Sequence, residues 1–226
     1  MRRALIKAGW LATDSLARGD DLSRAADGVD LLIIATPDAA VAEVAATIAP
    51  SDDCVVVHLA GSLGLDVLAP HGRRASVHPM MALPDGETGA RRLLDHGTFA
   101  LNAAGDPMGA AIVAALDGRV ITLADDPDVR ARHHAAACAA SNYVTTVLGM
   151  VERLAAAAGV SADAYLGLAH GAIDNVAELG AAAALTGPVA RGDDATVARH
   201  RAVTGPDDHA GHEALIAATQ QLARSK

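Results

Sequence analysis

The sequence predicts an α/β chain, a mostly parallel sheet followed by an all-helical C-terminal domain. Three observations predict it. Residues 31–35 (LLIIA) form a short, continuous apolar run and 54–59 (CVVVHL) is a second buried-strand pattern, as in strands covered on both faces. Up to about Val120, strand patterns alternate with helix patterns, as in a layered α/β sheet. At Asp126-Pro127-Asp128 the texture changes. A capping Asp, a Pro at the first helical position and an acid in the first turn start a helix. No strong breaker follows until Gly159. The sequence therefore divides near residue 124, into a sheet domain over 1–124 and a helical domain over 125–226.

Taken in order, residues 2–8 read as the last turns of a helix closed by Gly9. Residues 10–13 read as a short strand and 20–26 as a short helix or loop. Strand 31–35 ends at Thr36-Pro37-Asp38, and 39–48 continues as an Ala-rich helix. After strand 54–59, Gly61 precedes a helical turn over 65–68 that Pro70 stops. A strand over 75–78 ends at Pro79, and 80–89 reads as a loop. Residues 98–102 and 119–123 read as strands, with a helix over 108–116 between them. The helix from Pro127 would run some thirty residues, roughly 45 Å at 1.5 Å per residue. Ser161 is placed as the cap of a second helix reaching Leu179. Residues 185–188 form a loop, and 193–201 and 212–224 are further helices.

Composition narrows the function classes. Half of the 226 residues are hydrophobic (51%), which excludes global disorder. The aromatic residues are Trp10, Phe99, Tyr143 and Tyr165, so stacking platforms for single-stranded nucleic acid are nearly absent. A formal charge of −9, from 18 basic and 27 acidic residues, argues against nucleic acid and anionic membranes as partners. Cys54 and Cys138 lie far apart in apolar contexts and read as buried thiols of a reducing compartment. The N-terminus is basic but has no long apolar run, so no signal peptide is expected. The longest stretch without a charge or a His, 135–151, is too short and polar for a membrane span. A cytoplasmic location is the expectation.

Three stretches carry candidate chemistry. Thr36, Pro37 and Asp38 follow one strand, and Gly61 and Ser62 follow the next. Ligands of such sheets bind outside the carboxyl ends of strands, and small residues admit a ligand to the backbone. Ordinary loop chemistry is the plain alternative. His134, Cys138, Ser141 and Thr145 fall within about 60° on one helix face, with Asn142 beside them. Such a stripe suits a pocket wall, His for proton transfer and Asn and Ser to orient a polar substrate. Equally, Ser and Thr bond back to the preceding turn, and a lone His is often a satisfied core residue. Thr186-Gly187-Pro188 with Arg191 suits either an anion or a plain helix connection. His209, His212 and His200 have only vaguely metal-like spacing in a polar segment.

Several long motifs together resemble one bacterial family. They are DLLIIATPDAAVAEVA, VVVHLAGSLGLDVLAP, SVHPM, HHAAACAASNYVTTVLG, IDNVAELGAAAALTGPVARGD and ATVARH. The family pairs a Rossmann-like NAD(P)-binding domain with a helical C-terminal domain of unknown function, within the 6-phosphogluconate dehydrogenase-like group. The resemblance implies an oxidoreductase that passes hydride between NADP (or NAD) and a small carbonyl, imine or hydroxy compound at the interdomain cleft. It implies cofactor contacts from Thr36, Pro37, Asp38, Gly61 and Ser62, and from Arg18, which suits a 2′-phosphate. It implies catalysis by His134 with Ser141 and Asn142. Substrate contacts would come from His78, Asn175, Thr186 and Gly187. A homodimer is implied as well. Related reductases often carry a Lys where this chain has Cys138, which leaves lysine-based proton transfer without its residue.

The chain departs from the family at its start. Members begin with a strand and a Gly-rich loop, and no G-x-G-x-x-G occurs in these 226 residues. The start codon then lies too far downstream, or the chain is a shortened variant. Losing two or three charge-assisted hydrogen bonds of ~2 kcal/mol each would cost about 4–6 kcal/mol, roughly three to four orders of magnitude in affinity. A degenerate, non-catalytic Rossmann-like protein that binds a small metabolite or a partner subunit is the alternative reading.

Overall fold

The computed structural model describes residues 1–13 and 15–225. The apolar runs form a five-stranded sheet in sequential order: β1 Leu31–Ile34, β2 Val55–His58, β3 Arg74–Pro79, β4 Thr98–Asn102 and β5 Arg119–Leu123. The first three strands are parallel, β4 runs antiparallel to β3, and β5 runs parallel to β4. This is the α/β fold with a helical C-terminal part that the sequence predicts.

Alternation along the strands splits the core into two layers. Leu31, Ile33, Val55, Val57, Ala75, Val77, Phe99 and Leu101 pack on one face. Helices α1 (Arg2–Lys7), α3 (Gly86–Leu93) and α4 (Met108–Ala115) cover it with Leu5, Leu93, Ile112 and Val113. Leu32, Ile34, Cys54 and Val56 pack on the other, under Val41 and Ala45 of α2 (Val41–Thr47) and under Leu68. Two covered faces explain why β2 carries no polar residue before His58.

Residues 10–13 form no strand. Trp10 N donates to Leu5 O, and Arg2 Nε donates to Thr13 O. The backbone is thus drawn to α1 instead of entering a ladder. Among the described residues β1 pairs with β2 alone. A helix, α3, begins within the stretch read as a loop over 80–89. Its two glycines hid it, but Asp85 caps it by accepting from Glu87 N and Thr88 N, and Ala90 and Leu93 are buried.

The chain forms two compact units, Met1–Ser141 and Asn142–Lys226. Helix α5 (Pro127–Cys138), capped by Asp126 as expected, belongs to the first unit. A π turn, Ala139–Tyr143, follows it, and then α6 (Val144–Ala157). The expected thirty-residue helix is therefore not uniform. The π turn interrupts the 3.6-residue period on which the polar stripe was read.

The second unit adds α7 (Asp163–Leu179), α8 (Ala181–Ala184), α9 (Pro188–Arg191), α10 (Asp194–Val203) and α11 (Pro206–Ala223). Helix α7 starts after Ala162 without a side-chain cap, and Ser161 Oγ accepts from Asp163 N at a long 3.4 Å. Helix α11 starts six residues before the expected His212, because Pro206 sits in its first turn with Asp207 and Asp208. Arg153 of α6 grips Asp208 of α11 through two bonds, and Arg201 of α10 grips Glu213 of α11 likewise.

Gly118 in the sheet unit has no room for a side chain. A Cβ on Gly118, just before β5, would stand 2.5 Å from Phe99 Cε2 and 2.9 Å from Val113 Cγ1. Both neighbours are fully buried. Gly118→Ala is expected to cost about 1–3 kcal/mol by overpacking, read as an earlier urea midpoint with an unchanged slope.

Candidate functional site

Because β1, β2 and β3 are parallel, their carboxyl ends meet at one edge of the sheet. Thr36 and Asp38 leave β1, Gly61 and Ser62 leave β2, and His78 sits near the end of β3. Ser62 Oγ donates to Asp38 Oδ2 at 2.7 Å, which ties the loop after β1 to the loop after β2. Asp38 opens the short helical turn that leads into α2, where an acid is favoured by the helix dipole. Pro37 and Asp38 are exposed. Thr36 Oγ1 is buried and has no partner among the described residues.

The loop after β2 is held by two groups that the motif reading passed over. His58 is fully buried. Its Nδ1 accepts from Ala60 N, so its Nε2 carries the proton and donates to Gly64 O at 3.0 Å. Burial lowers its pKa to about 4, with Arg130 adding to the effect. Arg130 of α5 is also fully buried. Its Nε donates to Leu63 O at 2.9 Å, and its Nη2 to Ala60 O and Ser76 Oγ. Desolvation pushes the Arg130 pKa down, against the pull of Asp125, but guanidinium stays charged at any ordinary pH. Its Nη1 is buried without a partner among the described residues. The sequence did hold a signal. A cation four residues into a helix opposes the dipole, and Arg130, His134 and Cys138 share one face at i, i+4, i+8.

Above this loop lies a cluster of three histidines. His78 Nδ1 and His133 Nε2 are 3.1 Å apart, with the rings edge to face. The His134 ring centroid is 6.1 Å from that of His78, and His134 Nε2 lies 3.9 Å from Cys138 Sγ. Gly61 lies against both rings. A Cβ there would stand 2.7 Å from His78 Cε1 and 2.9 Å from His134 Cδ2. Burial lowers the His78 pKa to about 4, helped by His133, His134 and Arg130. His133 is lowered too, by burial first and then by Arg130 and His134.

The first unit therefore brings together Asp38 with Ser62, and Gly61 with His78 and His134. Arg18 lies exposed in the turn that Ala17 and Asp20 close. Ser141 Oγ donates to Ala137 O, a bond within its own helix. The remaining candidates belong to the second unit. The carbonyl of Asn142 accepts from Thr146 Oγ1, Asn175 is exposed on α7 and Thr186 is exposed before α9. Gly187 has φ 96°, a conformation that only glycine adopts freely. His133 was passed over because it lies off the stripe that selected His134.

A cavity of about 340 Å³ opens elsewhere in the first unit, lined by Leu65, Arg73, Arg74, Gly105, Asp106 and Asp125. It lies at the amino end of β3, away from the strand ends that carry the histidines. Its arginines and aspartates balance, and Arg73 already pairs with Asp106 at 3.0 Å. Among the described residues no group of three or more His, Cys, Asp and Glu is placed to hold a metal ion, and no helix is long and apolar enough to cross a membrane.

Residues 98–219, more than half of the chain, match the family model for a domain of unknown function, DUF2520. The chain belongs to the DUF2520 family. Protein TM1727 of Thermotoga maritima, a solved structure, is 25% identical to this DUF2520 chain, covers 85% of it and 78% of itself, with a TM-score of 0.67. BF3122 of Bacteroides fragilis, labelled a candidate NADP oxidoreductase, is 22% identical over 85% of this chain and 75% of its own, with a TM-score of 0.70. A reductive aminase of Aspergillus terreus, in complex with NADPH and ethyl levulinate, is 19% identical over 87% of this chain and 74% of its own, with a TM-score of 0.59. The last two likenesses show the fold. No curated protein matches the chain.

Proposed function

We propose that the chain is an NADP-dependent oxidoreductase acting on a small carbonyl, imine or hydroxy compound. The observation that carries this reading is the strand-end cluster. A buried Thr36 hydroxyl lacks a partner among the described residues, Asp38 and Ser62 bridge two loops, and Gly61 packs directly against two histidine rings. These features fit the nicotinamide end of a dinucleotide. Thr36, Pro37, Asp38, Gly61 and Ser62 would hold it, and Arg18 would take the 2′-phosphate. The Asp38 carboxylate suits a ribose hydroxyl or a carboxamide N–H, and repels phosphate. When bound, the cofactor supplies the hydride; the protein supplies position and protons. His134 with Ser141 and Asn142 would serve the reacting group, and His78, Asn175, Thr186 and Gly187 the substrate, on the strength of the family resemblance. The NADPH and the keto ester held by the reductive aminase of like fold support this class of cofactor and substrate.

A second reading is a non-catalytic Rossmann-like protein that binds a small metabolite or a partner subunit. It rests on the absence of G-x-G-x-x-G from these 226 residues, the motif that holds a pyrophosphate at a helix N-terminus. Fluorescence titration with NADPH and NADH decides between them. The 226-residue chain is run beside a form that carries the in-frame codons preceding Met1. Micromolar NADPH binding by either form supports the oxidoreductase. Binding by neither leaves the non-catalytic reading.

A homodimer forms part of the proposal. Among the described residues, α7 buries no side chain. Leu168, Ile173 and Leu179 on it are more than half exposed, an apolar surface that invites a second copy. Light scattering at micromolar concentration is expected to give twice the chain mass. Leu168→Glu with Ile173→Glu is expected to give the chain mass itself. A monomeric wild type would remove the dimer from the proposal.

A further inference from the structure

We propose that His133 and His78 form a two-imidazole relay that carries a proton from solvent to the reacting group at the ends of β1, β2 and β3. This inference deepens the oxidoreductase reading and rests on it. His78 Nδ1 faces His133 Nε2 at 3.1 Å, so a single proton lies between them and the two rings hold complementary tautomers. With that proton on His133, His78 carries its own proton on Nε2. No partner for His78 Nε2 or for His133 Nδ1 stands among the described residues, which leaves one end of the pair for a substrate and the other for water. Gly61 is part of the arrangement. Any side chain there would displace the His78 and His134 rings, from 2.7 Å and 2.9 Å.

The proton count closes without a charged ring. In the reducing direction the substrate oxygen or nitrogen, made basic as hydride arrives at its carbon, takes the proton from His78 Nε2. His78 Nδ1 takes the proton of His133 Nε2, and His133 Nδ1 takes one from water. Each imidazole gains and loses one proton, so both end neutral with their tautomers exchanged. The oxidising direction runs the same transfers backwards. Neutral transfer matters at this place. Arg130 and His134 press against positive charge on His78, and Asp38 favours it only weakly. A conventional imidazolium donor is disfavoured there, whereas exchange of tautomers is not. His133 acts through His78 and is a positioning residue. His134, turned towards the Cys138 sulfur at 3.9 Å, is no member of the pair.

The test has two independent parts. In the ¹⁵N-labelled wild-type protein without substrate, long-range ¹H–¹⁵N spectra at pH 7 are expected to show His78 and His133 in complementary tautomers with one shared, exchange-protected proton. In NADPH-dependent turnover, His133→Ala is expected to lower kcat about 10²-fold while KM stays within about twofold, and added imidazole is expected to restore part of the rate. His133→Gln keeps a donor for His78 Nδ1 but cannot pass a proton on. It should preserve the fold and the His78 tautomer and still lose the rate. An unchanged kcat in both variants overturns the relay and leaves the oxidoreductase reading standing. Independent tautomers at His78 and His133 overturn it too. A wild type that binds NADPH but turns over no carbonyl or imine substrate overturns both.

Discussion

Arg130→Met unfolds the sheet unit at markedly lower denaturant than wild type, with an expected loss of about 3–5 kcal/mol. The magnitude follows from what the guanidinium holds. Arg130 is fully buried and donates to two carbonyls of the loop after β2, Ala60 and Leu63, and to Ser76 Oγ on β3. Methionine replaces its volume but none of its donors, so buried acceptors lose charged partners worth about 1.5–3 kcal/mol each. Arg130→Lys is expected to recover only part of the loss, because one ammonium cannot reproduce a planar fork spread over three acceptors. The same loop carries Gly61 and Ser62, so the Met variant is also expected to weaken NADPH binding wherever wild type binds it. Urea unfolding followed by circular dichroism reads the first effect. A Met variant within 1 kcal/mol of wild type, on the order of one ordinary hydrogen bond, would mean that the loop does not depend on Arg130.

Acid destabilises the fold from pH 6.5 down to 4, and the loss begins before its carboxylates are protonated. His58 and His78 both have pKa values lowered to about 4, chiefly by burial, against about 6.5 in an unfolded chain. Through that window the unfolded chain binds protons that the folded chain refuses, so stability falls as pH falls. For fully buried His58 the loss approaches about 3 kcal/mol at pH 4. His78, which is half-buried, adds a contribution of the same sign. Well above pH 6.5 both rings are neutral in either state, and the stability curve should be flat with respect to them. His58→Gln keeps a donor for Gly64 O but has no proton to gain, so it should flatten part of the acid slope. Denaturant unfolding at pH 7.5, 6, 5 and 4.5 measures the slope. Equal stability at pH 7 and 4.5 would contradict the burial of these rings as neutral groups.

Much of this fold was legible before any coordinates. Apolar runs at 31–34 and 55–57 can be satisfied only by cover on both faces, and that is where they lie. Asp126-Pro127 marked the start of α5 because capping is local chemistry. The errors fell where tertiary packing overrides local signals. Glycines at 86 and 89 made α3 look like a loop, although one carboxylate, Asp85, caps it. Trp10 and its neighbours carry strand-like residues but spend their hydrogen bonds on α1. The π turn at Ala139–Tyr143 has no sequence signature that a 3.6-residue count detects.

The candidate site divides in the same way. The Asp38–Ser62 bond joins residues 24 apart, and only the rule that ligands gather at strand ends brought them to notice. His134 was found by its spacing on a helix face. Its neighbour His133 was not, because the contact that gives it meaning comes from His78, 55 residues away. Arg130 was passed over for the same reason. All of its acceptors lie on β3 and on the loop after β2.

The central claim is that the ends of β1, β2 and β3 hold a nicotinamide. Amide chemical-shift mapping of the ¹⁵N-labelled protein during an NADPH titration tests it most directly. Perturbations centred on Thr36, Asp38, Gly61, Ser62 and His78, saturating with nucleotide, are the predicted result. Perturbations centred on the Arg73–Asp106 cavity, or none up to millimolar NADPH, would contradict it.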